Sequence, residues 1–509
     1  MCCGSTHGWN LAMRYSLLRG LYDNAFHLLS CMRRTGTPPD HFTYPPLLKH
    51  AVASFSLTPQ LHASILTLGL LHNLHTANAL VSAYAKYGCL QSSLRLFEEM
   101  PHRNTVTWNS AITACLHNSH PHRAMWYFSH MTMSSLSKPD RMTVTTILSA
   151  QGCLQMVARG REVHAYILRQ GLIHQNQNQN GLTNQLIENA LIDMYAKSSD
   201  VESAKRVFEC MAARDLASWT AMISGLMQNG LPALALRIFH SMLKEGITPD
   251  DSVSIASVLP AITGAGTLQQ GREIHGYTIR NGLKNPFVAT ALLDMYSKFG
   301  CITLSEILFH ELLFHERNKN KSSSVVSWSA MIMAYAKHGY TDDALNLFHR
   351  MVEETRIKPN HKTLMAILTA CSHGGGGSDL VDEAKKWFQC MRDKYQVSPD
   401  MYHYAAMVHL LGRAGQLEEA MAFIREMPIE PGPAVWGALL GSCRLHHDVE
   451  LGERVAQVLS NVEPDNPGNY VLLSNMLAER GRWEDVVKVR ELMRDTGLQK
   501  KPGFSFVDV

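Results

Sequence analysis

Apolar residues return at helical intervals along almost the whole chain, in short stripes cut by polar turns. Between Thr105 and Asp140 the stripe is Trp108, Ala111, Ile112 and Cys115, a spacing that places side chains on one face of a helix. The stretch NSHPHRAM then breaks the pattern, and Pro121 suits the first position of a new helix. Met125, Phe128 and Met131 make the next stripe, which SKPD ends because Pro139 cannot continue a helix. The pattern predicts a helical hairpin. In other units the second helix opens on acids, Asp342 and Asp343 or Glu418 and Glu419, where carboxylates favour the positive helix terminus.

The hairpin recurs. Pro followed by Asp or Asn ends at Asp40, Asp140, Asp250, Asn360 and Asp400, and a second phrase subdivides these spans: AYAKYG from Ala83, MYAKSSD from Met194, MYSKFG from Met295, AYAKHG from Ala334 and LLGRAG from Leu410. Units of about 31 to 36 residues result, with longer ones where loops are inserted. One hairpin cannot bury its own stripe, but stacked neighbours can, so the expected fold is an all-α solenoid with a long concave face. Three segments read as inserted loops: HQNQNQNGLTNQ from His174, HERNKNKSSS from His315 to Ser324, and the glycine-rich HGGGGSD from His373. The glycine run lacks the Lys-Ser or Lys-Thr and the preceding strand of a phosphate loop.

Composition narrows the picture. Of 509 residues, 46% are apolar and 18% charged, and the net charge is +3. That describes an ordinary well-cored protein and advertises no overall grip on an anion. Eleven cysteines include no C-x-x-C pair, so reduced core thiols are expected in place of a zinc ribbon or a disulfide framework. No apolar run approaches a membrane span. Helical patterning begins near Trp9, which leaves no room for a signal or transit peptide unless the N-terminus is short.

The Trp-Leu-Gly-Tyr pattern of tetratricopeptide repeats is missing. The openings VTWNSAI, ASWTAMISG and VVSWSAMI and the closings ALRIFHSM (Ala235 to Met242) and ALNLFHRM (Ala344 to Met351) resemble the pentatricopeptide repeat family. GREVHAYILRQG and GREIHGYTIRNG look like its long variant repeat, and NALVSAYAKYGCLQSSLRLFEEMPHRN looks like its short one. The alternation of pure, long and short repeats resembles the plant organellar PLS subclass. It implies a right-handed superhelix of stacked hairpins, with a short remnant at 1–5 and repeats at 6–40, 41–73, 74–104, 105–140, 141–184, 185–215, 216–250, 251–285, 286–324, 325–360, 361–400 and 401–432. Residues 433–509 look like the family's E-type helical extension; they hold nine Lys or Arg and eleven Asp or Glu, a poor match for a phosphate backbone and a better one for a protein partner.

In this family the fifth and last residues of a repeat together read one RNA base. A carboxylate accepts from the ring N–H of uracil or guanine, and an amide NH₂ donates to the bare ring nitrogen of cytosine or adenine. Carried over, Asn10 with Asp40 implies U, Asn78 with Asn104 a pyrimidine with C preferred, and Asn109 with Asp140 and Asn189 with Asp215 imply U. Thr220 with Asp250 implies G, Thr290 a purine, and Ser329 with Asn360 implies A. Pro45, Thr145, Ile255 and Met365 of the long repeats, and Ala405, fill the same slot without an evident reading. The implied site is 5′-U-n-Y-U-n-U-G-n-R-A-n-n-3′. The second residue of a unit, as at Val106 and Val326, is expected to wedge between bases. A polar residue early in a helix also reads simply as a cap or surface group.

The resemblance implies a non-enzymatic guide for C-to-U editing in a mitochondrion or chloroplast, the mitochondrion slightly favoured. Expected partners are single-stranded organellar RNA, a DYW-type deaminase in trans and multiple organellar RNA editing factors, with no membrane. Splicing, stabilisation or translation of an organellar RNA is the alternative, and a protein-binding scaffold a third. The H-x-E and P-C-x-x-C signals of a zinc deaminase do not occur. No cofactor or metal site is expected: FHELLFHER (Phe309 to Arg317) lacks H-E-x-x-H spacing, and the adjacent His446 and His447 would face different sides of a helix.

Overall fold

The computed structural model describes residues 5–50, 57–134, 137–173, 181–318, 324–353, 355, 357–375, 377–495 and 497–498. Among them are 28 α-helices and no strand. The chain forms two compact units, Met1–Asp250 and Asp251–Val509. Each is a run of hairpins, beginning with Thr6–Leu18 and Tyr22–Arg34 in the first unit and Ser252–Ala265 and Leu268–Arg280 in the second. Within each unit the first helix of a hairpin packs on the first helix of the next, as Leu74–Lys86 does on Thr105–His117 and Val325–Lys337 on His361–His373. The expected all-α solenoid is thus present inside each unit as two layers of helices.

The repeated tryptophan is a packing residue. Trp108, Trp219 and Trp328 are buried, and each meets a phenylalanine from the preceding hairpin edge to face. The centroid separations are 5.0 Å to Phe97, 4.9 Å to Phe208 and 5.2 Å to Phe309, the range in which aromatic quadrupoles attract. The turn after this helix is left-handed: Gly230 has φ 68° and Gly339 φ 78°, a region glycine enters without a Cβ penalty. Ser119 holds the same turn at φ 58°.

Three expectations need correction. The helix Gly181–Lys197 takes in the end of the segment read as a loop from His174, since nothing after Gly181 breaks a helix; residues 174–180 lie outside the described residues. Likewise Ile302–Asn318 carries the helix through His315, anchored by buried Leu312 and by Glu311, which pairs with Lys284 at 2.6 Å; residues 319–323 are not described. His446 and His447 follow the helix Pro433–Leu445 and sit in a turn where His447 has φ 54°. The glycine run does separate helices, between His373 and Ser378. Of the described cysteines, only Cys115, Cys371 and Cys443 are buried, while Cys153 and Cys210 are exposed.

Candidate nucleic-acid interface

The N-cap of each first helix sets the register of the site. Asn104, Asp140, Asp215 and Asn360 each accept a hydrogen bond from the backbone N–H three residues on, the ordinary way an Asx side chain satisfies an orphan helix donor. Asp40 does the same for the amides of Phe42 and Thr43. The last residue of one repeat is therefore the cap of the next repeat's first helix. Capping uses Oδ1 of each side chain and does not by itself exclude a second contact.

Two slot residues reach their partners directly. Asn10 Nδ2 donates to Asp40 Oδ1 at 3.0 Å, and Asn109 Nδ2 to Asp140 Oδ1 at 3.1 Å. A threonine completes each set: Thr43 Oγ1 lies 2.8 Å from Asn10 Oδ1, and Thr143 Oγ1 lies 2.6 Å from Asn109 Oδ1. With its carbonyl accepting from the threonine and its NH₂ donating to the carboxylate, the amide can face only one way. Each threonine hydroxyl also approaches the carboxylate, at 2.9 Å for Asp40 and 2.8 Å for Asp140. All these bonds converge on Oδ1. Burial raises the Asp140 carboxyl, but bonds from Thr143 and Asn109 outweigh it and hold it below the ordinary value. Asp40 is lowered in the same way by Asn10 and Thr43 against burial. Both are acceptor-only carboxylates at neutral pH.

Elsewhere the pairing is indirect. Ser329 Oγ meets Thr363 Oγ1 at 2.6 Å, and Thr363 Oγ1 donates to Asn360 Oδ1 at 2.9 Å, so one hydroxyl bridges slot and cap. Thr220 and Thr290 donate to the carbonyls of Leu216 and Pro286 in their own helices. Asn78 and Asn189 have a buried Oδ1 with no hydrogen-bond partner among the described residues. Asn104, the expected partner of Asn78, is engaged by Thr107.

Asp250 departs from the pattern. Its Oδ1 accepts from Thr248, and the helix Ser252–Ala265 is capped by Asp251 through Ser254 N at 2.6 Å. Buried Ser254, Ile255, Val258 and Leu259 then repeat, in order, the buried Thr143, Val144, Ile147 and Leu148 that follow Asp140. Ile255 is consequently a core residue, and Ala256 occupies the slot for which Ile255 was expected. One extra acidic residue after Pro249 shifts the register, and the Pro-Asp phrase conceals the shift.

Counting two residues on from each cap finds a second row. Val106 and Val326 are more than half exposed, as are Phe42 and Met142 in the first unit and Val253, Phe287 and Tyr402 in the second. The last five were not singled out from the sequence, although the same count from the cap locates them. Val106 and Met142 line one open groove of about 350 Å³ together with Asn109, Asp140, Lys86 and His117. Apolar side chains flank a polar pair there, with a cation at the edge.

The described residues also assemble a group that no sequence pattern anticipates. His361 Nε2 lies 2.6 Å from Asp400 Oδ2, and His403 Nδ1 lies 2.5 Å from Asp400 Oδ1. Donor atoms of all three lie within 4.8 Å of one another. His403 stands where Thr143 and Thr363 stand behind their caps, and its side chain is fully buried. A spacing motif could not announce the group, because 39 residues separate His361 from Asp400.

Comparison with known proteins identifies the repeats. The PPR repeat family matches residues 214–252 and 323–373, and the PPR repeat matches 75–105, 106–136, 189–216 and 402–430. The E motif matches residues 446–508. Pentatricopeptide repeat-containing protein At1g50270 of Arabidopsis thaliana is 38% identical over 94% of this chain and 77% of its own length. The chloroplastic protein At1g11290 of the same plant is 36% identical over 98% of the chain and 59% of its own length. The mitochondrial protein At3g13770, also of Arabidopsis thaliana, is 35% identical over 88% and 68%. With a relative so similar over nearly all of this chain, repeat matches in both units and the E motif at its C-terminal end, the chain belongs to the pentatricopeptide repeat family.

Proposed function

We propose that this protein reads single-stranded RNA, one base per repeat, and thereby directs C-to-U editing of an organellar transcript by a deaminase supplied in trans. The observation that supports the reading best is the groove holding Asn109 and Asp140 between Val106 and Met142. A base edge needs donors and acceptors held at fixed angles, and a base face needs an apolar wall on either side. Stacking of this kind contributes roughly 1–3 kcal/mol per base where the wall is aromatic, and Phe42, Phe287 and Tyr402 provide such walls at other stations. The forecast string keeps its order, with Thr220 and Asp250 proposed for the G station.

Titration of the purified chain with a short RNA carrying the forecast string, against a scrambled RNA of equal composition, tests the binding. Affinity for the first should be higher, and log K should fall linearly with log salt by about 0.7 per phosphate contacted. Equal affinity for both strings, or binding indifferent to salt, would turn the reading toward a protein-binding scaffold.

The E-type end, with nine Lys or Arg against eleven Asp or Glu, is a poor electrostatic match for RNA and suits a protein partner better. The deaminase and the multiple organellar RNA editing factors are the partners proposed for it and for the long repeats. Sequencing organellar transcripts from plants lacking the protein should reveal one cytidine that is no longer converted. An unspliced or missing transcript would instead assign the protein to splicing or stabilisation. Relatives carrying chloroplastic and mitochondrial names support an organellar setting without choosing between the two.

A further inference from the structure

We propose that His361, Asp400 and His403 form a binding site for a divalent first-row transition-metal ion, with Zn²⁺ the best match to the donor set. The site lies within the second unit, where the first turns of the helices His361–His373 and Met401–Arg413 meet. It is independent of the RNA reading.

One donor atom from each of the three side chains lies within 4.8 Å of the others. His403 is wholly buried, and its Nε2 faces the backbone carbonyl of His361 at 3.2 Å. A carbonyl only accepts, so Nε2 carries the ring hydrogen. Nδ1 of the neutral ring then carries a lone pair, which takes a long 3.3 Å bond from the Asp400 backbone N–H and lies only 2.5 Å from Asp400 Oδ1. That oxygen already accepts from the backbone amides of Tyr402 and His403. Two lone pairs at this separation repel unless a cation stands between them. On the other carboxylate oxygen waits a second imidazole, His361 Nε2, at 2.6 Å. A proton on His403 Nδ1, with neutral His361 donating its Nε2–H, would fill both contacts as a hydrogen-bonded pair; a metal ion would instead draw both imidazoles and the carboxylate onto one centre, and the three donor atoms already lie within 4.8 Å of one another.

The surroundings match what a metal-ligating histidine requires. Such a residue donates its second ring N–H to a carbonyl or carboxylate, which fixes the tautomer and aims the free nitrogen at the ion. The His361 carbonyl does this for His403. Two imidazoles and a carboxylate form a common three-ligand zinc set with a position left for solvent. Tetrahedral bonds of about 2 Å hold neighbouring donor atoms roughly 3.3 Å apart. Each His–Asp contact would open by less than about 1 Å, which the half-exposed His361 side chain allows. In the sister stations a threonine occupies the His403 place and its hydroxyl accepts the backbone N–H of the cap residue, as Nδ1 of His403 does here, so the cap alone does not require a histidine. An ion would tie two successive hairpins together at a station where Met365 and Ala405 offer no hydrogen bond to a base edge.

The test uses the full chain without an affinity tag. Zn²⁺ is titrated in competition with a chromogenic chelator, and Co²⁺ is used as a spectroscopic probe. The wild-type chain should take up one tight equivalent and give Co²⁺ a visible d–d band. His403→Thr, which installs the residue of the sister stations, and Asp400→Asn, which keeps a capping amide as at Asn360, should each weaken that equivalent at least tenfold and abolish the band. Circular dichroism checks that the helices persist, and either variant that folds is enough to decide between the outcomes. Uptake unchanged in both variants, or no saturable uptake by the wild type, would overturn the proposal and leave an imidazolium–carboxylate pair.

Discussion

Exchange of Asp140 for Asn should move the preferred base at one station of the bound RNA from U to C, with no change at its neighbours. The carboxylate offers only acceptors, which suits the ring N–H of uracil. An amide presents NH₂ to the bare ring nitrogen of cytosine and meets uracil with donor against donor. A good base contact discriminates by about 1–3 kcal/mol, or roughly 5- to 150-fold in relative affinity. The fold should not suffer, because Asn104 and Asn360 already cap equivalent helices with the same geometry and Asn is as good an N-cap as Asp. Competition binding with RNAs differing only at that position measures the switch. The same exchange at the G station, Asp250→Asn beside Thr220, should turn that base from G toward A. If neither changes the base, or if Asp140→Asn weakens all RNAs alike, capping is the only work these side chains do.

Trp219→Ala carries the largest expected loss of stability, about 3–5 kcal/mol by analogy with other buried aromatic truncations. Trp219 is almost wholly buried and stands edge to face on Phe208, at 4.9 Å and 77°, so its removal hollows the contact between successive hairpins. In a repeat array each hairpin leans on its neighbours, so damage to one interface is felt by both sides. Trp219→Phe should cost far less, under about 1.5 kcal/mol. It keeps the aromatic contact and discards an indole N–H that is buried without an acceptor among the described residues. Urea unfolding followed by circular dichroism compares the two; an Ala variant as stable as the Phe variant would mean that the phrase is repeated for some reason other than packing.

The helices were legible because burial imposes a period. Trp108, Ala111, Ile112 and Cys115 lie one helical step apart, and no other backbone state would put all four inside. Where periodicity faded the expectations failed. Polar residues from Thr183 to Gln185 and from His315 onward resemble loop, yet a helix nucleated by its apolar stretch extends at little cost in either direction when no Pro or Gly intervenes. The shift of register after Asp250, which puts Ile255 in the core, has a similar origin. Pro-Asp marks where a helix ends, but the next helix starts at whichever acidic side chain can reach the amide three residues on, and that is Asp251.

The amino-acid sequence by itself determined the repeat, its hairpin, its apolar faces and the family, because each follows from local periodicity and short motifs. Only the tertiary structure decided which polar groups meet. Asn109 with Asp140 and Thr143, Ser329 with Thr363, and His361 with Asp400 and His403 are pairings across 31 to 42 residues. They exist because stacking brings the first turn of one helix beside the next, and a change of one residue in a connecting loop alters which side chain arrives there.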